Sequence, residues 1–129
     1  MSEIAQKKTP LYEEHVRLGA RLVLFAGWLM PVQYTSIVEE HQAVRSSVGI
    51  FDISHMGQLI ADGPGAHAWL NSMLTNNVDK LEIGTGQYTF LLNERGGIID
   101  DLIVYRIGEQ KFLLVVNAAR VDEDFAWLQ

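Results

Sequence analysis

Two adjacent aspartates, Asp100 and Asp101, are the residues whose type and position most strongly suggest chemistry. They lie in the most apolar run of the chain, residues 98–105, although aspartate is depleted in β-strands. Successive strand side chains point to opposite faces, so Asp100 shares a face with Leu102, and Asp101 shares the other with Ile103. Unless the strand is bulged, one carboxylate therefore points towards a buried side. A buried carboxylate is costly unless paired, which makes it a candidate functional charge.

The same pair also fits a purely structural role. Gly96 and Gly97 precede the strand and suit a turn with positive φ. Both aspartates would then lie in solvent at the strand entry and cap that turn. The residue pattern leaves this alternative open.

A second group, Asp52, Ser54 and His55, resembles the residue set of a serine hydrolase. On an extended strand, however, Asp52 and Ser54 share a face while His55 lies on the other, so no relay forms locally. The sequence also lacks the G-x-S-x-G motif that exposes such a serine. We therefore expect a structural polar cluster here.

Metal and phosphate sites find little support in the sequence. The four histidines have no H-x-x-x-H or H-E-x-x-H spacing, and the absence of cysteine excludes disulfides and thiolate ligands. The glycines at 84 and 86 do not open a helix, so they are weak indicators of a phosphate loop. We expect no metal, and we interpret the acidic run Asp122, Glu123 and Asp124 as a solvated helix face.

Composition limits the partners. The chain has 129 residues, and ten Lys and Arg against sixteen Asp and Glu give a net charge of −6. This balance argues against nucleic acid and against a membrane surface, both of which select basic faces. Residues 1–8 contain no apolar run of the kind found in a leader. We expect a cytoplasmic protein with a flexible tail over residues 1–8 and a single domain over residues 9–129.

The remaining pattern predicts α+β structure, with helices packed on an antiparallel β-meander. Thr9 is predicted to cap a first helix, and Ser36 with Glu39 forms a capping box for a second. Residues 50–60 read as extended chain, and residues 66–74 as a helix. Three strands joined by short turns follow, over residues 88–92, 98–105 and 112–116. Asn117 is placed to cap a closing helix whose apolar stripe contains Val121, Phe125 and Leu128.

Six motifs together resemble the amino-terminal part of aminomethyltransferase, the T-protein of the glycine cleavage system. They stand in family order at residues 9–12, 25–34, 40–45, 49–56, 97–105 and 115–118. The resemblance implies the folate-binding amino-terminal part of the T-protein fold. It also implies transfer of a one-carbon unit from the aminomethyl-lipoyl H-protein to tetrahydrofolate, with release of ammonia.

The same resemblance implies roles for individual residues. The family's catalytic aspartate is matched to the first of the pair, Asp100, and Asp101 is expected to be a structural neighbour that fixes the turn or pairs with a basic residue. Met56, Tyr88 and Asn117 are matched to positions near the pterin. Members of the family are much longer and use a glutamate and arginines outside this segment to bind folate, so we expect a truncated chain.

Two alternatives remain. One is a non-catalytic folate-binding or protein-interaction module of the same superfamily, which includes the folate domains fused to sarcosine or dimethylglycine dehydrogenases. The other is the superfamily's iron–sulfur assembly factor, whose K-G-C-Y-x-G-Q motif is absent because residues 84–88 lack the cysteine.

Overall fold

The structure is a computed structural model that describes residues 6–129. Four α-helices occupy α1 Tyr12–Arg17, α2 Ile37–Ser46, α3 Ala66–Met73 and α4 Val121–Leu128. Seven strands occupy β1 Lys7–Lys8, β2 Arg21–Phe25, β3 Trp28–Gln33, β4 Gly57–Asp62, β5 Gly86–Leu92, β6 Ile98–Gly108 and β7 Lys111–Val116, and a 3₁₀ turn covers Val78–Lys80. Helices and largely antiparallel sheets confirm the predicted α+β class.

The described residues form two compact units, one up to His55 and one from Met56 onwards. The predicted domain from residue 9 includes both. In the first unit, a three-stranded sheet has the order β1-β3-β2, with β1 parallel and β2 antiparallel to β3. The tail predicted over residues 1–8 needs a correction, because Lys7 and Lys8 pair with β3; its first five residues lie outside the described part.

Helix starts in the first unit test two capping predictions. The serine half of the capping box is confirmed, because the Glu39 amide donates to Ser36 Oγ at 3.2 Å. The Glu39 carboxylate accepts from the Ser36 hydroxyl at 3.0 Å instead of from a backbone amide. The prediction for Thr9 is wrong. Helix α1 starts later, after Leu11, and the Thr9 carbonyl instead accepts from the Tyr12 amide in the preceding turn.

The second unit contains a four-stranded antiparallel sheet with the order β4-β7-β6-β5. Strands β5, β6 and β7 pair in sequence, which confirms the predicted meander. The predicted extended chain over residues 50–60 is confirmed as strand only from Gly57, where β4 starts, and residues 54–56 form a turn. Strand β4 returns to the far side of β7, with Gly57 opposite Val116.

The core of the second unit lies on one face of this sheet. Helices α3 and α4 pack there, against β7 and against β4 and β6 respectively. Fully buried side chains include Leu70, Leu91, Val104 and Phe112. Each such side chain contributes about 1.5–3 kcal/mol of burial free energy, so this face is fixed firmly in place. Over residues 6–129, no helix is long and apolar enough to cross a membrane.

Candidate active site

Asp100 lies on the core face of β6. It is only 5% exposed and shares that face with Leu102 and Val104, both of which are buried. The pairing between β5 and β6 shifts register next to it, because Leu91 faces Asp100 and Leu92 faces Ile98. The alternative that both aspartates lie in solvent beside the glycine turn is therefore wrong.

Asn117 satisfies the buried Asp100 carboxylate. Its backbone amide donates to Asp100 Oδ2 at 3.0 Å, and its side-chain Nδ2 donates to Oδ1 at 2.9 Å. The predicted helix cap is wrong, since the Asn117 side chain is used here and Arg120 occupies the cap position of α4. A carboxylate that accepts donors on both oxygens is held in one orientation.

Asp101 points to the opposite, more open face of the sheet and is half-buried. Asn117 Nδ2 donates to the Asp101 backbone carbonyl at 2.9 Å and shares that contact with Asp101 Oδ1 at 3.2 Å. Asp101 Oδ2 accepts from the Tyr88 hydroxyl at 2.8 Å. The hydrogen bond to Asp101, followed by burial, raises the pKa of Tyr88, so the phenol keeps its proton and remains the donor. Tyr88 is 53% exposed, which leaves this edge of the pair accessible.

Three of the four predicted site residues are thus linked by hydrogen bonds, in the order Asp100, Asn117 and, through Asp101, Tyr88. Met56 is not part of this hydrogen-bonded set. It directly precedes Gly57, the register partner of Val116, so it lies at the same end of the sheet as Asn117.

The two carboxylates have different access to a ligand. Asp100 is buried and its two oxygens already accept from Asn117, so little of this carboxylate is open to a bound molecule. Asp101 lies on the face with exposed neighbours, among them Tyr88 and Tyr105. Geometry therefore favours Asp101 as the carboxylate that contacts a ligand, while the catalytic role of Asp100 stays a prediction.

Asp124 is a residue that the sequence analysis missed. The predicted solvated helix face is wrong at this residue, because its side chain is fully buried on α4. Within residues 6–129, no N–H or O–H group is placed to donate a hydrogen bond to either of its carboxylate oxygens. Burial, followed by the adjacent Asp100 carboxylate, raises the pKa of Asp124 to about 7. Its spacing from Val121 and Leu128, which pack on the core, places it on the inward stripe of α4.

Arg120 joins the start of α4 to the bulged part of β6. Its Nε and Nη2 donate to the Ile99 carbonyl at 3.1 and 2.8 Å, and its Nη1 pairs with Glu123 at 2.6 Å. The arginine therefore satisfies a carbonyl beside the register shift. It also fixes the end of α4 that bears Asp124.

The first unit contains a separate buried polar cluster. His15 Nδ1 is hydrogen-bonded to the Tyr34 hydroxyl at 2.8 Å, and His15 Nε2 to Asp52 Oδ2 at 2.7 Å. Burial alone would raise the pKa of Asp52, but hydrogen bonds from Ser54 and His15 outweigh it and hold that pKa below its usual range. Ser54 contributes its amide to Asp52 Oδ1. Asp52 and Ser54 agree with the predicted structural cluster, whereas His55 lies outside it, with its ring edge-on to Phe25.

Metal-ligating side chains are not grouped in the part of the chain that the structure describes. No three His, Asp or Glu residues there could hold one ion. The chemistry available at the candidate site is that of carboxylates, an amide and a phenol.

Comparison with known proteins gives consistent results. A family model described as the GCVT N-terminal domain matches residues 11–129. The chain is 58% identical over 123 residues to an aminomethyltransferase of Thermus thermophilus, covering 95% of this chain and 35% of the relative. It is 55% identical over 123 residues to an aminomethyltransferase of Halothermothrix orenii, covering 95% and 34%.

A solved structure is similar in fold as well as sequence. The glycine cleavage system aminomethyltransferase T from Bartonella henselae matches with a TM-score of 0.90 and 45% identity, covering 96% of this chain and 35% of that one. The chain thus spans about a third of the length of the relatives it matches.

Proposed function

The chain belongs to the GCVT N-terminal domain family, and on this basis we propose that it provides part of the active site of an aminomethyltransferase of the glycine cleavage system. The proposed acceptor is tetrahydrofolate, and the proposed donor is the aminomethyl-lipoyl group of the H-protein. The proposed products are ammonia, 5,10-methylene-tetrahydrofolate and the H-protein with its lipoyl group as the free dithiol, because the transferred carbon exchanges its bonds to the amine nitrogen and to sulfur for bonds to two folate nitrogens. Glycine catabolism is the setting that follows from this reaction.

The observation that supports the proposal is the position of Asp101. It lies between the Tyr88 hydroxyl and the Asn117 amide, on a sheet face with exposed aromatic side chains. A pterin is a flat heterocycle with several N–H donors, and a fixed carboxylate is their natural acceptor. Tyr88 and Tyr105 add aromatic surface, which suits such a ring. This donor and acceptor set fits tetrahydrofolate.

The proposed chemical role of Asp101 is electrostatic. When ammonia leaves the aminomethyl carbon, positive charge develops next to the attacking folate nitrogen. A preorganised carboxylate stabilises that charge and accepts the nitrogen's proton as the new C–N bond forms. The protonated Tyr88 and the Asn117 amide hold both oxygens of Asp101 without reorganisation.

Asp100 has a positioning role in this proposal, since its hydrogen bonds fix Asn117 beneath Asp101. This differs from the sequence-based assignment of Asp100 as the group that touches substrate. The two assignments differ in their predicted effects. Loss of the Asp101 charge would remove the acceptor from the ligand, whereas loss of the Asp100 charge would loosen Asn117.

A chimeric enzyme tests the proposed function. The aligned segment of the Thermus thermophilus aminomethyltransferase is replaced by this chain, to which it is 58% identical. We expect ammonia release from aminomethylated H-protein that depends on tetrahydrofolate. The Asp122→Asn variant, an exposed change on α4, is the matched control and should behave like the parent chimera. A folded chimera that binds tetrahydrofolate but releases no ammonia would favour the non-catalytic module instead.

The cytoplasmic location remains a prediction of the sequence. Fractionation of cells that express the full polypeptide tests it directly. A membrane-bound or exported pool would contradict it.

A further inference from the structure

We propose that Asp124 is a positioning residue for the Asp101 site, with a neutral carboxyl group that donates a hydrogen bond to the Asp100 carboxylate. The inference rests on the proposed function in one respect only, the ligand-binding role of Asp101. The hydrogen-bonded chain itself follows from the second unit alone.

The first observation is the burial of an unpartnered acid. Asp124 is 0% exposed, and among the described residues neither of its carboxylate oxygens accepts a hydrogen bond from an N–H or O–H group. An ionised carboxylate without a donor in such a place is strongly disfavoured, because burial removes its hydration without replacement. A neutral acid avoids most of this cost.

The second observation is what lies beside it. The neighbouring group is the Asp100 carboxylate, which cannot donate when ionised. If both carboxylates were ionised, neither could donate a hydrogen bond to the other. A protonated Asp124 can donate one to Asp100. Asp100 is the better acceptor of the two because Asn117 already stabilises its negative form with two N–H groups. The shared proton therefore belongs to Asp124.

The surrounding charges agree with this distribution. The charged groups that act on Asp124 are Glu123 on α4, Arg120 at the cap position of α4, and Asp100 on β6. Arg120 lowers the pKa of Asp124, but burial and the two acidic neighbours outweigh it and raise the pKa to about 7. Its guanidinium is directed to the Ile99 carbonyl and to Glu123 rather than to Asp124.

The consequence is a continuous chain of hydrogen bonds from the core to the open face. Asp124 donates to Asp100, which accepts from Asn117, which donates to Asp101, which accepts from Tyr88. Ionisation of Asp124 would place two negative charges side by side and push Asp100 away. Asn117 would then lose its anchor, and the Asp101 carboxylate would lose its fixed orientation.

Nuclear magnetic resonance of this chain tests the inference without any ligand. The chemical shifts of Asp124 Cγ and of the Asn117 side-chain amide are followed from about pH 5 to 9, a range that brackets the raised pKa of Asp124. We expect both to change with one midpoint near pH 7. An Asp124 carboxyl that is ionised throughout, or an Asn117 amide that does not respond, would overturn the proposal.

Three variants separate positioning from simple packing. Asp124→Asn keeps an N–H donor to Asp100 but cannot ionise, so the Asn117 amide should keep its low-pH position at every pH. Asp124→Leu removes the donor, and the Asn117 amide should be displaced at every pH. Asp122→Asn, exposed on the same helix, should retain the parent titration. If Asp124→Leu does not fold, the parent and Asp124→Asn decide the matter, because a packing role predicts no difference in pH dependence between them.

A tetrahydrofolate titration of the chimeric transferase, which supplies the folate-binding residues that lie outside this segment, keeps the two proposals distinguishable. In one outcome, Asp124 and Asn117 titrate together but the Tyr88 ring does not respond to tetrahydrofolate. This would support the positioning role of Asp124 and count against the proposed function. A Tyr88 response to tetrahydrofolate without that linkage would overturn the role of Asp124 and leave the proposed function standing.

Discussion

Replacing Asp124 by asparagine should change how the stability of the chain depends on pH. In the folded chain burial holds the proton on Asp124 up to about pH 7, whereas an unfolded aspartate loses it near pH 4. Between these values the folded state binds more protons than the unfolded state, so the free energy of unfolding falls as pH rises. This contribution is fully present below about pH 4 and is lost as the pH approaches and passes about 7.

The interval between the two pKa values sets the magnitude. It corresponds to about 4 kcal/mol, which relaxation of the surroundings around the ionised carboxylate reduces to about 2–4 kcal/mol. The side-chain amide of the Asp124→Asn variant cannot ionise and escapes this loss. We therefore expect the two proteins to have similar stability near pH 4, and the variant to be more stable by about 2–4 kcal/mol at pH 8.

Urea unfolding followed by circular dichroism, at several values between pH 4 and 8, measures this difference. Other groups with shifted pKa values, such as Asp52, contribute equally to both proteins and cancel in the comparison. Asp122→Asn serves as the control and should follow the parent at every pH. A stability difference between Asp124→Asn and the parent that stays constant from pH 4 to 8 would refute the account of Asp124.

Three further predictions concern stability and use urea unfolding. Gly57→Ala should destabilise the second unit by about 1–3 kcal/mol, because the alanine Cβ would overlap Val121 and come within 2.7 Å of Val116 Cγ2. An unchanged urea midpoint would contradict this close packing. Asp52→Asn should lower the free energy of unfolding by about 3 kcal/mol at pH 7, because it leaves a buried histidine with a weakened partner. This loss should shrink as the pH falls through the range where the parent carboxylate itself gains a proton. Ser36→Ala should cost about 1 kcal/mol through loss of the serine cap, and helix content measured by circular dichroism should fall with it; no loss would show that the cap contributes nothing.

Local patterns predicted the elements whose cause is local. The serine cap at Ser36 and the strands joined by short turns needed only neighbouring residues, and both are present. The strand period also predicted that Asp100 and Asp101 face opposite ways. It did not reveal which face is the core, because that depends on where α3 and α4 pack.

The site depended on contacts between residues distant in sequence. Asn117 could cap a helix or bind a carboxylate, and only the pairing of β6 with β7 brings it to Asp100. Asp124 lies 24 positions beyond Asp100, and its burial contradicts the ordinary preference of aspartate for solvent. Its position on the stripe between Val121 and Leu128 was the available clue.

The most direct test of the central claim compares Asp101→Asn with Asp100→Asn in the chimeric transferase. With the fold checked by circular dichroism, we expect Asp101→Asn to lower kcat/KM for ammonia release by about 10²–10⁴-fold. Asp100→Asn should mainly lower stability and retain measurable transfer. Full activity of Asp101→Asn, together with complete loss in a folded Asp100→Asn, would contradict the assignment of Asp101 and return the catalytic role to Asp100.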